Sequence, residues 1–237
     1  MSRWIYLHDC VVQQEPLKSE RPRMEEQVGA LCSQSVGRLI EKLSSPPGSH
    51  CPVFFGSGFG VLASLHDFDR VSVEQGPLRV NPSRFPDTVL NAPACRASIC
   101  HGLTAPIYNL SDGQLSGLDA LGLAMTQIAA GQTDEAIVCA AEEASPIARL
   151  IAPSLSTTSG VALYLSAEKS WARLCDYQRQ RVRRAATAPP PAGCVEPLLR
   201  LCLAFQKRVD KPITLTARQD DCISCVRMEP LASEGCP

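Results

Sequence analysis

The sequence lacks long apolar runs and any excess of one charge. None of its apolar segments approaches the ~20 residues that a membrane-spanning helix needs. The first residues, Met1 to Asp9, contain neither the apolar core nor the small-residue cleavage site of a signal peptide. The 237 residues carry 23 Lys and Arg against 24 Asp and Glu, a formal net charge of −1, which gives no electrostatic reason to bind nucleic acid or anionic lipid. We therefore expect a cytoplasmic protein that neither enters a membrane nor binds nucleic acid.

The twelve cysteines also lack the spacing of a metal site. They are scattered through apolar segments, where a cysteine usually behaves as a small buried hydrophobic residue. The one close pair is Cys222 and Cys225, and only Cys236 lies near it. Since a structural zinc site needs four ligands, incidental thiols are favoured over a metal or redox role. We expect no metal and no cofactor.

Short apolar runs alternate with helical patterns, which indicates an α/β fold. The predicted strands are 4–12, 52–55, 107–110, 135–139 and 160–166, and the predicted helices are 24–43, a helix that ends near Arg70, and 114–130. The order is βαβαβαββ. The proline-rich loop from Val71 to Ile99 is predicted to be irregular and held on the surface.

The character of the sequence changes after Ser166. A run of four arginines is followed by a proline-rich segment (188–193) that is predicted to be flexible or extended, and then by a short amphipathic helix predicted at Leu198 to Phe205. The last twenty or so residues show little pattern and are predicted to be mobile. We therefore divide the chain into a domain at 1–168 and an extension at 169–237 that holds a linker, a helix and a tail.

Four segments of the sequence are informative together. The first, from Gly102 to Leu121, reads GLTAPIYNLSDGQLSGLDAL. The others are VFFGSGFG at 53–60, NPSRFPDTVLNAP at 81–93 and GQTDEAIVCAAEE at 131–143. In combination, from about Met24 to Ser166, they resemble the N-terminal half of the β-ketoacyl synthases. The resemblance implies the thiolase-like fold, N-terminal half only, with a layered α/β architecture and a short helical C-terminal extension.

Within that family the position of the nucleophilic cysteine, counted from Pro106, falls on Gln114. The run that begins there, QLSGLDAL, is similar to that of chain-length factors, which are ketosynthase-like partner subunits. The short length is similar to the truncated chain-length factors of bacterial polyene-pigment pathways. Decarboxylating loading ketosynthases also carry Gln here, but a serine-rich run usually follows, and Leu115 and Gly117 depart from it.

Gln114 removes the chemistry that the family implies. A cysteine at a helix N-terminus is a nucleophile because the helix stabilises its thiolate, whereas an amide cannot attack a thioester. The family also needs histidine from its second half, but the four histidines here are His8, His50, His66 and His101. We expect no catalytic residue and treat Gln114 as a vestigial nucleophile position. An alternative is that Gln114 acts as an oxyanion donor in malonyl-carrier decarboxylation.

The resemblance also implies partners. In the thiolase fold the strand before the nucleophile lies at a sheet edge and pairs with its counterpart across the dimer. The predicted interface with an active ketosynthase is therefore Pro106, Ile107, Tyr108, Asn109 and Leu110, with an ordinary covered edge as the alternative. The predicted docking site for an acidic acyl carrier protein is Arg179, Arg181, Arg183 and Arg184, with a solvated helix face as the alternative.

The leading hypothesis is a non-catalytic chain-length-factor-like subunit of fatty acid or polyketide biosynthesis, with aryl polyenes as one product class. The alternatives are a Gln-type decarboxylase and an orphan carrier-binding module. A dinucleotide site is disfavoured because Gly56, Gly58 and Gly60 do not form the G-x-G-x-x-G pattern. Glu142 and Glu143 are interpreted as a strand-end or interface feature.

Overall fold

The computed structural model describes residues 3–15, 27–181 and 193–231. Within these ranges the strands are β1 (Ile5–Glu15), β2 (Val53–Gly56), β3 (Ile107–Leu110), β4 (Glu135–Glu142), β5 (Thr158–Ser166), β6 (Ala172–Arg181), β7 (Ile213–Gln219) and β8 (Cys222–Pro230). The α-helices are α1 (Gln27–Lys42), α2 (Leu62–Gln75), α3 (Ala92–His101), α4 (Ser116–Ala129), α5 (Pro146–Ile151) and α6 (Glu196–Gln206). Short 3₁₀ helices lie at Pro77–Arg79, Pro82–Thr88 and Gly113–Leu115.

The described strands form one mixed sheet in the order β3-β2-β4-β5-β1-β6-β8-β7. Strand β2 runs parallel to β3 and β4. All the other neighbouring pairs in the sheet, from β4–β5 to β8–β7, are antiparallel. Helices α1 and α3 contribute to the core on one face, and α4 and α6 to the core on the other. The mixed α/β fold that the sequence predicts is confirmed.

The alternation of side chains along a strand builds both cores from neighbouring residues. Phe54 and Phe55 are both fully buried. Phe54 belongs to the core around α4 and stacks on Tyr108 with ring centroids 4.7 Å apart. Phe55 belongs to the core around α1. The short strand β2 is therefore covered on both faces, as expected of a parallel strand inside a layered fold.

Helix α4 is the central helix, and ten of its fourteen residues are buried. Its small residues allow close packing. A methyl group on Gly117 would overlap the carbonyl oxygen of Cys194, and one on Gly122 would overlap the ring of Tyr177. These contacts come from the C-terminal third of the chain, so the extension rather than a second half-fold covers this face of α4.

The sequence prediction is wrong for most of the described extension. The helix predicted at 198–205 is present as α6, but the described part of the basic run lies on strand β6. Strand β7 lies mostly in a segment for which no element is predicted, and the tail predicted to lack pattern forms β8 up to Pro230. The Pro-rich loop likewise contains a helix, α3, at 92–101. Inward positions of β7 and β8 carry small or polar side chains such as Ala217 and Ser224, which weakens the apolar alternation by which strands are recognised.

None of the helices described for this chain combines the length and the apolar character that crossing a bilayer requires.

Candidate functional site

Gln114, the predicted vestigial nucleophile position, lies between the end of β3 and the start of α4. Gln114 is half-buried in the 3₁₀ turn Gly113–Leu115, so α4 begins two residues later than the sequence predicts. Gly113 has φ +51°, a left-handed conformation that favours glycine. The turn is held by Ser116, whose Oγ accepts from the Asp112 N–H at 2.7 Å and donates to the Gly113 oxygen at 2.8 Å.

The end of β7 covers this turn. The backbone N–H of Gln114 donates to Oε1 of Gln219 over 2.7 Å. The Gln219 side chain also lies against the α-carbon of Gly113, where a methyl group would overlap it. The two elements are 105 residues apart and start from opposite edges of the sheet. Their contact shows that the sheet curves around α4.

A buried carboxylate joins α4 to the same part of the sheet. Asp119 is 3% exposed, and its oxygens accept hydrogen bonds from Tyr177 (3.1 Å), Arg179 (2.6 Å) and Ser224. The second amino group of Arg179 pairs with Asp112. Burial and the neighbouring Asp119 carboxylate raise the pKa of Tyr177 to about 12, so the phenol is neutral and serves as a donor.

A second buried carboxylate organises the Gly-rich turn after β2. Glu142 is fully buried; it accepts from the backbone N–H groups of Gly58 at 3.0 Å and Phe59 at 2.8 Å. Burial raises its pKa, although bonds from Cys194 and those two amides oppose the shift. Because this carboxylate occupies both amides, they are not available to bind a phosphate. Glu142 is at the end of its strand, as predicted, but it lies inside the domain.

The thiol of Cys194 contacts the buried Glu142 carboxylate. Its surroundings argue against Cys194 as a nucleophile that replaces the missing cysteine. It is fully buried, and its Sγ lies 3.1 Å from Glu142 Oε2. Burial, together with the Glu142 carboxylate, raises the pKa of the thiol well above its usual value. A thiolate is the reactive form, so Cys194 is held as an inert hydrogen-bond donor.

The predicted partner interface lies at a free edge. Strand β3 pairs with β2 on one side, and no strand of the described chain lies on its other side. All four of its residues are half-buried. The structure thus shows the geometry that the interface needs, while the pairing with another subunit stays a prediction.

The predicted carrier-docking arginines divide into three cases. Arg179 is engaged with Asp112 and Asp119, although its side chain is 44% exposed. Arg181 is 86% exposed and lies 4.0 Å from Asp221. Both are on strand β6, so a helix face is not their setting. Arg183 and Arg184 lie outside the described residues.

Two of the four histidines, His8 and His101, have polar contacts within the fold. A ring nitrogen of His101 lies 2.8 Å from the Ser33 oxygen, and that of His8 lies 3.0 Å from both Glu168 O and Ser166 Oγ. Among residues 3–15, 27–181 and 193–231, no group of three or more His, Cys, Asp or Glu side chains is arranged to hold a metal ion.

Sequence reasoning missed Gln219, Tyr177, Ser224 and Cys194 as parts of this region. All four come from the extension, and each reaches its partner across a long sequence separation. The one local signal is Asp119, a charged residue among the apolar and small residues of α4. A buried charge needs partners, so its position predicts a polar contact without identifying the donor.

The fold defines a thiolase-like α/β domain, and the predicted nucleophile position in it carries the amide side chain of Gln114. Residues 16–159 match the family model described as "Beta-ketoacyl synthase, N-terminal domain". The chain belongs to this family.

Individual proteins agree with the assignment. The chain is 36% identical over 93 residues to a 3-oxoacyl-[acyl-carrier-protein] synthase 2 of Vibrio cholerae, a match covering 39% of this chain and 22% of that protein. It therefore aligns with only about a fifth of the length of that curated relative.

Two solved structures resemble nearly the whole chain. One is a chain of a ketosynthase in complex with its chain length factor from Xenorhabdus doucetiae, with TM-score 0.67, 14% identity, and coverage of 94% of this chain and 98% of that one. The other is a chain from the structure of a type II PKS acyl-carrier protein in complex with its ketosynthase. Its TM-score is 0.79 at 11% identity, and the match covers 98% of this chain and 100% of that one. At these identities the likeness concerns the fold.

Proposed function

We propose that this chain is a non-catalytic, chain-length-factor-like subunit that pairs with an active β-ketoacyl synthase in the cytoplasm. The observation that carries the proposal is the amide of Gln114 at the nucleophile position, in a turn that the chain covers with its own Gln219. The partner supplies the cysteine and histidines. The pathway is carrier-protein-dependent fatty acid or polyketide synthesis, with aryl polyenes as one product class. We also propose that the ketosynthase-like part of the chain ends at residue 168.

The resemblance to a chain from a ketosynthase–chain length factor complex supports this choice. That chain is matched over 98% of its length, so a protein of this size and fold occurs in such an assembly. The state of Cys194 points the same way, since this thiol beside the Gly-rich turn is buried and its pKa is raised.

The outer side of β3 is the surface we propose for the partner. The N–H groups of Val53 and Ser57 donate to the oxygens of Pro106 and Leu110, each over 3.1 Å. Alternate residues of a strand direct their peptide groups to the same side. Pro106, Tyr108 and Leu110 therefore face β2, whereas Ile107 and Asn109 present their peptide N–H and C=O groups to the free edge.

Replacing one outward N–H tests this surface. We expect Asn109→Pro to weaken association with the ketosynthase encoded beside this chain about tenfold or more, because it removes an edge donor. The matched control is Asn109→Ala, which removes the same side chain and keeps the N–H. Asn109 Oδ1 is buried and has no hydrogen-bond partner among the described residues, so its loss alone costs little. Native mass spectrometry of the co-expressed pair measures the complex.

Two outcomes would contradict the proposal. One is that the chain never associates with a neighbouring ketosynthase. The other is that the isolated chain releases CO₂ from malonyl carrier protein and that Gln114→Ala abolishes the activity, which would identify a decarboxylase. Equal binding by the Asn109→Pro and Asn109→Ala variants would reject the β3 edge but leave the subunit assignment intact.

We propose that Arg181, with Arg183 and Arg184, docks an acidic acyl carrier protein. Arg181 is the more exposed of the two described arginines of the run. We expect Arg181→Glu to raise the dissociation constant for the carrier protein severalfold, with a smaller effect at high salt because exposed charges are screened. The control is Arg79→Glu, at an exposed arginine in the 3₁₀ helix Pro77–Arg79. Fluorescence anisotropy of labelled carrier protein measures both, and equal effects would remove Arg181 from the docking site.

A further inference from the structure

The Gln114 N–H lies in the turn before α4, at the predicted nucleophile position. The first N–H groups of a helix have no acceptor within the helix, and backbone N–H groups of this kind stabilise the oxygen that becomes negative during acyl transfer. Here that donor already has an acceptor, the Oε1 atom of Gln219 at 2.7 Å. The same side chain fills the space beside the α-carbon of Gly113.

We infer that Gln219 is an internal ligand of the vestigial site, and that its amide oxygen occupies the place an acyl carbonyl oxygen would need. The chain is closed at this position by its own β7–β8 hairpin. An acyl thioester does not reach Gln114 unless the hairpin moves. The inference extends the proposed function, because it explains how the subunit avoids binding substrate at its own relict site. The inference concerns contacts within this chain, so it can be tested without a partner.

The hairpin that carries Gln219 is held in place at several points. Gln219 and Cys222 are register partners where β7 turns into β8. On β8, buried Ser224 donates to Asp119 of α4. On the neighbouring β6, Arg179 bridges Asp119 and Asp112, the latter directly before the vestigial turn. The contact of Gln219 is therefore part of a packed arrangement rather than the reach of a loose side chain.

Hydrogen exchange of the Gln114 amide in the full-length chain tests the inference. Gln219→Met keeps the length of the side chain and removes the acceptor, whereas Gln219→Glu keeps an oxygen acceptor. We expect the Gln114 amide to exchange about tenfold faster in the Met variant and at nearly the wild-type rate in the Glu variant. The control is Gln180→Ala, since Gln180 is an exposed glutamine on β6. NMR resolves the individual amide.

Access of a small electrophile provides a second readout. In the Gln114→Cys variant, we expect iodoacetamide to label residue 114 slowly. In Gln114→Cys with Gln219→Ala we expect labelling about tenfold faster, because a thiolate at the start of a helix is stabilised once it is exposed. Peptide mass spectrometry separates residue 114 from the native cysteines.

The results decide the inference without reference to a partner. Unchanged protection of the Gln114 amide in the Met variant would overturn it, as would equal labelling of the introduced thiol with and without Gln219. Loss of association with a ketosynthase would refute the proposed function but leave this result standing.

Discussion

Replacing Glu142 with Ala is expected to lower the free energy of unfolding by about 3–5 kcal/mol, the summed cost of several donors that lose their acceptor. The carboxylate is fully buried, and its removal leaves the Gly58 and Phe59 N–H groups without their acceptor. An unsatisfied buried donor bears its full desolvation penalty. The Cys194 thiol, 3.1 Å away, loses its acceptor too. Urea unfolding followed by circular dichroism measures the change.

Glu142→Gln is the sharper variant, because it preserves the size of the side chain. Both carboxylate oxygens accept a backbone N–H in the native chain, so an amide nitrogen must face a donor. We expect a loss of about 2–3 kcal/mol. The control is Glu196→Gln, at an exposed glutamate in the first turn of α6, with an expected change within about 0.5 kcal/mol. If the Glu142→Gln variant were as stable as wild type, the two amides would not need this carboxylate.

The stability difference between wild type and the Glu142→Gln variant is expected to depend on pH, and its direction follows from the pKa of Glu142. Burial raises the pKa of Glu142 above its usual value of 4.5, so the folded chain holds this proton more tightly than the unfolded chain. The resulting stability is present below the usual pKa and is lost as pH rises toward the raised pKa. Since glutamine does not titrate, the stability difference between wild type and Glu142→Gln should narrow as pH rises from the usual glutamate pKa toward the raised one. A widening would contradict a raised pKa.

Replacing Asp119 with Ala is the second large expected effect, a loss of about 2–4 kcal/mol in the free energy of unfolding. The change removes the acceptor shared by Tyr177, Arg179 and Ser224. The figure is below the full cost of an unpaired buried charge because Arg179 is 44% exposed and keeps Asp112. Tyr177→Phe should cost about 1 kcal/mol, one hydrogen bond.

A matched ion pair on the surface provides the control for Asp119. Glu74 pairs with Arg70 over 3.1 Å on α2, and both side chains are about half exposed. Glu74→Ala should change stability by less than about 0.5 kcal/mol. If Asp119→Ala were equally mild, the buried network would not hold the extension to α4. Faster exchange of the Gln114 amide in the Asp119 variant would link the network to the position of Gln219.

The structure confirms the secondary structure of the first part of the chain better than that of the rest. Strands β1 to β5 and helices α1 and α4 follow from local apolar runs, glycine turns and helical spacing. Strand β2, for example, is a short apolar run ended by a Gly-rich turn. The sequence does not predict strands β6 to β8. On β7 and β8 the small or polar residues Ala217 and Ser224 face inward, and the basic run of β6 resembles a solvated segment.

The sequence likewise predicts one part of the candidate site and not the rest. The sequence predicts that Gln114 occupies the nucleophile position, because the resemblance defines that position by its distance from Pro106 and by the run that follows. It does not identify the acceptor of the Gln114 N–H or the donors to Asp119. Gln219 is 105 residues from Gln114, and Ser224 is equally far from Asp119. No local pattern encodes such pairs.

The sequence by itself thus determined the family and the strand β3, and it predicts the loss of the nucleophile at Gln114, because each depends on residue types at short spacing. Tertiary structure alone decided which side chain accepts from the Gln114 N–H and which residues donate to the buried Asp119. The physical reason is that these features arise from the curvature of one sheet around α4. That curvature brings β7, at one edge, to the end of β3, at the other.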